Sequence, residues 1–288
     1  MSEDKRLPFG KTFNMLGAVI DLSRSMEGVV QISNKPSRIK ELLASVKELA
    51  LGDDFSESML QSLRGRLLYA AGNTFGRCTQ VAVQALGRVA RRGTSIALDE
   101  EMITCIEFAV RTLAKSLPRT MHAWRDEWPV LIFTDGACEN EGATVTFGAV
   151  ICDSSTNSYF FFGDHVPQSF VKAWMEGGKK QVIFQAELFP IWIAKVTWRN
   201  LLQRRQVLWF CDNEAARSAM IRSYSPLLDS MQLIRLCAAE DVAAQSTNWY
   251  ARVPSKSNLS DAASRLDFSC YALLGFTKVM PSYAHDLG

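Results

Sequence analysis

The hydrophobic pattern changes period at Pro129, and that change constrains the fold more than any single residue does. Upstream, apolar residues recur at helical spacing in four sets: Ile39, Leu42, Leu43, Val46 and Leu49; Leu60, Leu63, Leu67 and Ala71; Cys78, Ala82, Leu86 and Val89; and Met102, Ile106, Ala109 and Leu113. Gly52 stands where the first helix would stop, and Asp54 with Glu57 resembles a capping box opening the second. The third helix is expected from about Phe75 to Ala90 and the fourth from Asp99 to Lys115. Ahead of them, residues 12–33 read as a hairpin of two strands around a turn at Met26-Glu27-Gly28. Pro118 ends the helical block, and the stretch to Pro129, with Trp124 and Trp128, reads as a linker.

Downstream of Pro129 the apolar runs are short and β-rich. Val130–Thr134, Val145–Ile151 and Ser158–Phe162 make an antiparallel meander. A long helix follows over about 182–203, then a strand Val207–Cys211, helices over 214–222 and 227–244, a strand Asn248–Val253 and a last helix over 258–266. The order β-β-β-α-β-α-α-β-α implies an α/β protein with a mixed sheet and helices on its faces. The expected organisation is a hairpin and helical domain over 1–120, a linker at 121–129, the α/β domain over 130–270 and a tail over 271–288.

Composition narrows the classes. With 48% hydrophobic and 22% charged residues the chain has enough apolar material for a packed core, which argues against disorder. No apolar stretch reaches the length of a membrane-crossing helix, and the polar opening Met1–Arg6 has no apolar segment behind it, so a cytoplasmic or nuclear setting is expected. Seven cysteines form no C-x-x-C pair, which predicts free thiols and no zinc site.

Net charge is only +2, but its distribution is uneven. From Ser58 to Leu98 there is no acidic residue and there are six arginines: Arg64, Arg66, Arg77, Arg88, Arg91 and Arg92. That stretch is a candidate phosphate-facing surface. A solvated helical face with acidic partners from elsewhere in the fold is the alternative, and it stays open.

Four carboxylates occupy informative places in the element order. Asp135 ends the first strand of the meander in Phe133-Thr-Asp-Gly-Ala137, and Glu187 lies in the long helix in Gln185-Ala-Glu-Leu188. Asp212 follows the next strand in Phe210-Cys-Asp-Asn213, and Asp261 opens the last helix in Ser257-Asn-Leu-Ser-Asp-Ala-Ala-Ser-Arg265. Taken singly, Asp135, Asp212 and Asp261 suit turns and helix starts, whereas Glu187 sits among almost wholly apolar neighbours where an unpaired acid is expensive. Four converging acids would repel unless hard divalent cations neutralised them, and a pair of such ions is an arrangement that cuts phosphodiesters.

Thr134-Asp-Gly-Ala137, Gln185-Ala-Glu187, Cys211-Asp-Asn213 and Ser257-Asn-x-x-Asp261-x-x-Ser-Arg265 resemble the four catalytic segments of the ribonuclease H fold, particularly the domain carried by reverse transcriptases. Upstream, Phe13-x-x-Leu-Gly-x-x-Ile-Asp-Leu22, Asn34-Lys-Pro-x-Arg38, Leu63-Arg-Gly-Arg-Leu67 and Phe75-Gly-Arg77 are similar to the thumb and connection of DIRS-type retrotransposon reverse transcriptases. The resemblance implies a ribonuclease H-like fold, a five-stranded mixed sheet with flanking helices, preceded by the hairpin and helical domain. It also implies a metal-dependent endonuclease that hydrolyses the RNA strand of RNA-DNA hybrids. Asp135 would bridge two Mg2+ ions (Mn2+ as the substitute), with Glu187 and Asp212 on the first and Asp261 on the second. Gly136, Ala137 and the residues to Asn140, with Asn213, would contact the RNA strand, and Arg64, Arg66 and Arg77 the phosphates. Asn258 reads as a helix cap rather than a substrate ligand.

Two departures qualify the resemblance. Many ribonucleases H carry a histidine in the loop before the last helix, and Ala251–Ser257 has none. No Tyr-x-Asp-Asp motif precedes the thumb-like segment, so the expectation is part of a reverse transcriptase lacking its polymerase palm. The alternative function is a nucleic-acid-binding module of the same fold with weak or no turnover. Leu51-Gly-Asp-Asp54 reads as a helix stop and start rather than a polymerase motif, and Gly177-Gly-Lys-Lys180 lacks the spacing of a phosphate-binding loop. The seven tryptophans read as core or linker residues, with Trp174 placed in that Gly- and Lys-bearing loop where it could touch a duplex.

Overall fold

A computed structural model of the chain describes residues 10–51, 56–74, 78–89, 100–124, 127–139, 144–176 and 181–283. The chain divides into two compact units, Met1–Asp126 and Glu127–Gly288.

In the first unit, strands β1 (Thr12–Met15), β2 (Ala18–Asp21), β3 (Val29–Asn34) and β4 (Arg119–His122) form an antiparallel sheet in sequence order. The expected two-strand hairpin over 12–33 is therefore corrected to three strands. Its first turn is Leu16-Gly17, with φ of 51° and 85°, the left-handed pair a tight hairpin needs. A leucine in that conformation is uncommon, so the unbroken apolar run concealed the turn. The expected linker at 121–129 is corrected as well, because Met121 and His122 belong to β4 and pair with β3.

Helices α1 (Pro36–Leu51), α2 (Glu57–Ala71), α3 (Cys78–Val89) and α4 (Glu100–Lys115) follow the apolar spacing. Leu42, Val46, Leu60, Leu63, Leu67, Ala82, Leu86, Ile106, Ala109 and Leu113 are buried. The α2 stripe ends on Ala70 rather than Ala71, and its N-cap is Ser56, whose hydroxyl accepts from the Met59 N–H at 3.3 Å. Asp54, read as that cap, lies outside the described residues, as do Gly52, Phe75, Arg77, Arg91, Arg92, Asn140 and the 177–180 loop.

The second unit is built on a six-stranded mixed sheet. Its strands are β5 (Val130–Glu139), β6 (Thr144–Asp153), β7 (Ser158–His165), β8 (Gln206–Cys211), β9 (Thr247–Arg252) and β10 (Thr277–Lys278), in the order β10-β7-β6-β5-β8-β9. β5, β6 and β7 form the antiparallel meander, while β8 runs parallel to β5 and β9 parallel to β8. The five-stranded mixed sheet of the ribonuclease H-like fold is present, extended by β10, which pairs parallel with β7. A two-residue strand after a Gly275 turn carries too little pattern to be read in sequence.

Helices α5 (Gln168–Met175), α6 (Ile183–Thr197), α7 (Arg199–Leu202), α8 (Glu214–Arg222), α9 (Leu228–Ala244), α10 (Asp261–Ser264) and α11 (Ser269–Leu273) complete the unit. Trp174 is a buried residue of α5, which corrects its placement in a loop. The last helix expected over 258–266 is only the single turn α10, because Leu266 enters the left-handed region at φ 60° and the Asp267 N–H closes back on the Ala262 carbonyl. α6 is apolar nearly all round and packs between the sheet and α9, as its composition demands.

Two buried ion pairs lock the edges of this core. Arg205 donates to both carboxylate oxygens of Asp153 at 2.8 and 2.9 Å, and Lys195 pairs with Asp241 beneath the Trp209 ring. Each fully desolvated charge thus meets an opposite one.

Candidate metal centre

The middle of β5 builds the centre: Asp135, expected to end its strand, is the sixth of ten residues, because pairing with β6 carries the strand on to Glu139. Asp135 lies opposite Gly148 of β6, and a Cβ at Gly148 would stand 2.4 Å from the Ser264 nitrogen. Glycine at 148 and again at 163 thus lets α10 lie directly on the sheet, on the face that carries Asp135. Ser264 then donates its hydroxyl to Asp135 Oδ2. The loop before α10 is tied down by Asn258, whose amide donates to the Thr134 carbonyl at 3.1 Å while its Oδ1 accepts from the Ser260 hydroxyl at 2.8 Å. Tyr271 closes the same corner, accepting from the Ala263 N–H at 3.0 Å and donating to the Leu259 carbonyl at 2.6 Å.

On the other face, Gly136 lets the backbone of α6 approach β5. A Cβ at 136 would stand 2.1 Å from the Ala186 carbonyl oxygen and 2.8 Å from the Glu187 nitrogen. That carbonyl is four residues before Pro190, which lies inside α6 and has no N–H to offer it. The proline and the glycine therefore act together: one frees the carbonyl from the helix ladder, and the other leaves room for it against the strand. Glu187 is thereby delivered beside Asp135 on β5, where the nearby Gly136 N–H and Asn213 side chain favour its ionised form. Asp212 follows β8 directly, and Asn213 caps α8 by accepting from the Ala216 N–H at 3.0 Å.

Oxygens of Asp135, Glu187 and Asp212 all lie within 4.8 Å of one another. Asp135 is 7% exposed and Glu187 6%. Glu187 Oε2 and Asp212 Oδ1 are buried with no hydrogen-bond partner, which is the condition a cation would relieve. Burial, followed by the neighbouring carboxylates, pushes the Glu187 carboxyl up to about 9. Burial likewise pushes Asp135 up to about 6, against the hydrogen bond from Ser264. Three hard oxygen donors, two of them with idle buried lone pairs, suit a hard divalent cation.

Asp261 stands outside this group of three. It lies close enough to Asp135 to raise its proton affinity, but its own Oδ1 accepts from Arg265 Nη2 at 3.0 Å and Nε at 3.2 Å. Of the expected nucleic-acid contacts, Gly136 is buried within β5. Ala137 and Asn213 are half-buried at the rim. Arg64 is exposed on α2 with its guanidinium over Gly87, Arg66 is half-buried, and Arg77 lies outside the described residues. Ser264 takes its role from the contact with Asp135 of β5, and Arg265 from its pairing with Asp261 one turn earlier.

No protein-family model matches the chain, and no curated protein does. Solved structures do resemble it. Ribonuclease H1 of the halophilic archaeon Halobacterium salinarum is 15% identical, covering 49% of this chain and 98% of that one, with a TM-score of 0.38. A compost-derived ribonuclease H1, solved with an RNA/DNA hybrid, is 14% identical over 50% of this chain and 99% of that one, TM-score 0.38. The foamy viral protease-reverse transcriptase, also solved with a hybrid, is 11% identical over 96% of this chain and 31% of that one, TM-score 0.32. The ribonuclease H-like fold of the second unit stands on its own strand order and register.

Proposed function

We propose that this chain is a metal-dependent endonuclease that hydrolyses the RNA strand of RNA-DNA hybrids, as part of a reverse transcriptase-like protein. The observation that carries the reading is the buried Asp135-Glu187-Asp212 group with unpartnered oxygens on two of its members. Asp135, Glu187 and Asp212 would hold one divalent ion, and Asp135 with Asp261 a second. Such ions, when bound, generate a hydroxide nucleophile near neutral pH and stabilise charge on the leaving oxygen.

The chain's own groups orient the ligands. Ser264 holds Asp135, the Gly136 N–H and the Asn213 side chain favour the ionised form of Glu187, and Asn258 fixes the loop that presents Asp261. These contacts restrict the carboxylates before any ion arrives, which is what preorganised electrostatic catalysis needs. Ala137 and Asn213 at the rim are the proposed contacts to the RNA strand, and the arginines of α2 the proposed phosphate contacts.

The test is cleavage of a labelled RNA-DNA hybrid by the full chain with and without Mg2+, beside single-stranded RNA and duplex DNA. The reading expects metal-dependent cutting of the hybrid's RNA strand, abolished by Asp135→Asn and by Glu187→Gln with hybrid binding retained. Wild-type cleavage in either variant overturns it. Tight hybrid binding without cutting favours the binding-module reading, to which the histidine-free loop 251–257 lends support.

A further inference from the structure

Arg265 is placed to decide how many cations the centre takes up. It is the residue that ends α10, so the single-turn helix and the left-handed turn at Leu266 hold its backbone beside the acid group. Both of its donating nitrogens meet the same oxygen of Asp261, and the pair is exposed, with 65% of the arginine side chain and 43% of the aspartate side chain accessible. Its charge also acts on Asp135 and Glu139. The outer side of the acid group therefore already carries a positive charge supplied by the chain, whereas the inner side carries idle carboxylate oxygens.

This asymmetry has a consequence for ions. A cation held by Asp135, Glu187 and Asp212 meets uncompensated negative charge. A cation between Asp135 and Asp261 has to stand beside a guanidinium that occupies one of its ligand oxygens. An exposed i,i+4 pair is weak and exchanges readily, and a guanidinium binds phosphate oxygens in the same forked geometry as carboxylates. A phosphodiester arriving at the rim is thus a competing partner for Arg265.

Resting on the metal-site reading above, we propose that Arg265 is a displaceable counterion for Asp261 that makes cation uptake sequential: the inner ion binds first, and the outer ion binds only as the guanidinium leaves Asp261, a phosphate of the substrate being the group that draws it away.

The experiment is calorimetric titration of the full chain with Mn2+ in the absence of nucleic acid, for wild type, Arg265→Ala, Arg265→Lys and the double variant Arg265→Ala/Asp261→Asn. The wild type is expected to bind one ion tightly and a second weakly. Arg265→Ala raises the affinity of the second ion about tenfold, the scale of removing one like charge a few ångströms away, and leaves the first within twofold. Arg265→Lys, which keeps the charge and loses the fork, falls between them, and the double variant loses the second ion. A second-ion affinity in Arg265→Ala within twofold of wild type overturns the proposal while leaving the inner site standing. Two ions of equal affinity in the wild type also overturn it. No ion bound by the wild type removes the metal site itself, and the proposal with it.

Discussion

Replacing Gly136 by alanine tests the construction of the centre without touching a carboxylate. The added Cβ would stand 2.1 Å from the Ala186 carbonyl oxygen and 2.4 Å from its carbon, both backbone atoms of a buried helix. Neither can swing away as a side-chain tip would, so β5 and α6 have to part by about an ångström, and overpacking of this kind costs about 1–3 kcal/mol. With a urea dependence of about 2 kcal/mol per molar, the unfolding midpoint of the second unit falls by about 0.5–1.5 M. Tryptophan fluorescence reports that unit, because Trp174, Trp192, Trp198 and Trp209 are all buried within it. The same shift moves Glu187, so Mn2+ affinity falls together with stability. Gly65→Ala is the matched control: nothing lies within 4 Å of its Cβ position in the interior of α2, and alanine there stabilises the first unit by about 1 kcal/mol, read by circular dichroism. An unchanged urea midpoint and unchanged Mn2+ affinity in Gly136→Ala would refute the close approach of α6 to β5.

Other predictions follow from charge. Asp135 and Glu187 both have carboxyls raised above their ordinary values, to about 6 and about 9, so their contribution to stability is fully present in acid and is lost as pH rises from about 4 towards 9. In chelator, the second unit should therefore lose stability across that range, and Glu187→Gln should recover about 3 kcal/mol at pH 7 and almost nothing at pH 4.5; parallel pH profiles for the two proteins would contradict this. Arg205→Ala leaves the Asp153 carboxylate, 0% exposed, without its cation, and denaturant unfolding should show a loss of about 3–5 kcal/mol, whereas a loss under 1 kcal/mol would mean the pair is not buried as described.

Much of the second unit was legible because its strands are dense β-branched and aromatic runs and two of its acids, Asp212 and Asp261, stand at element ends. α6 was legible for the same reason that Glu187 stood out: a carboxylate within an apolar helix has few bland explanations. What remained hidden depends on contacts between distant segments. Ser264 and Asn258 acquire roles only when α10 and its preceding loop reach β5, and Gly148 and Gly163, which permit that approach, look like ordinary strand glycines in the sequence. The turn at Leu16-Gly17 was missed because an apolar residue took a left-handed conformation usually left to glycine or asparagine. β4 was missed because four residues after a proline carry no alternation by themselves, and its pairing with β3 spans most of the first unit.

The most direct measurement is the anomalous diffraction of crystals grown or soaked with Mn2+. The account predicts a peak within coordinating distance of Asp135, Glu187 and Asp212 together, occupied before any peak beside Asp261. A manganese peak elsewhere, or none at these three carboxylates, would contradict the claim that they form a divalent-cation site.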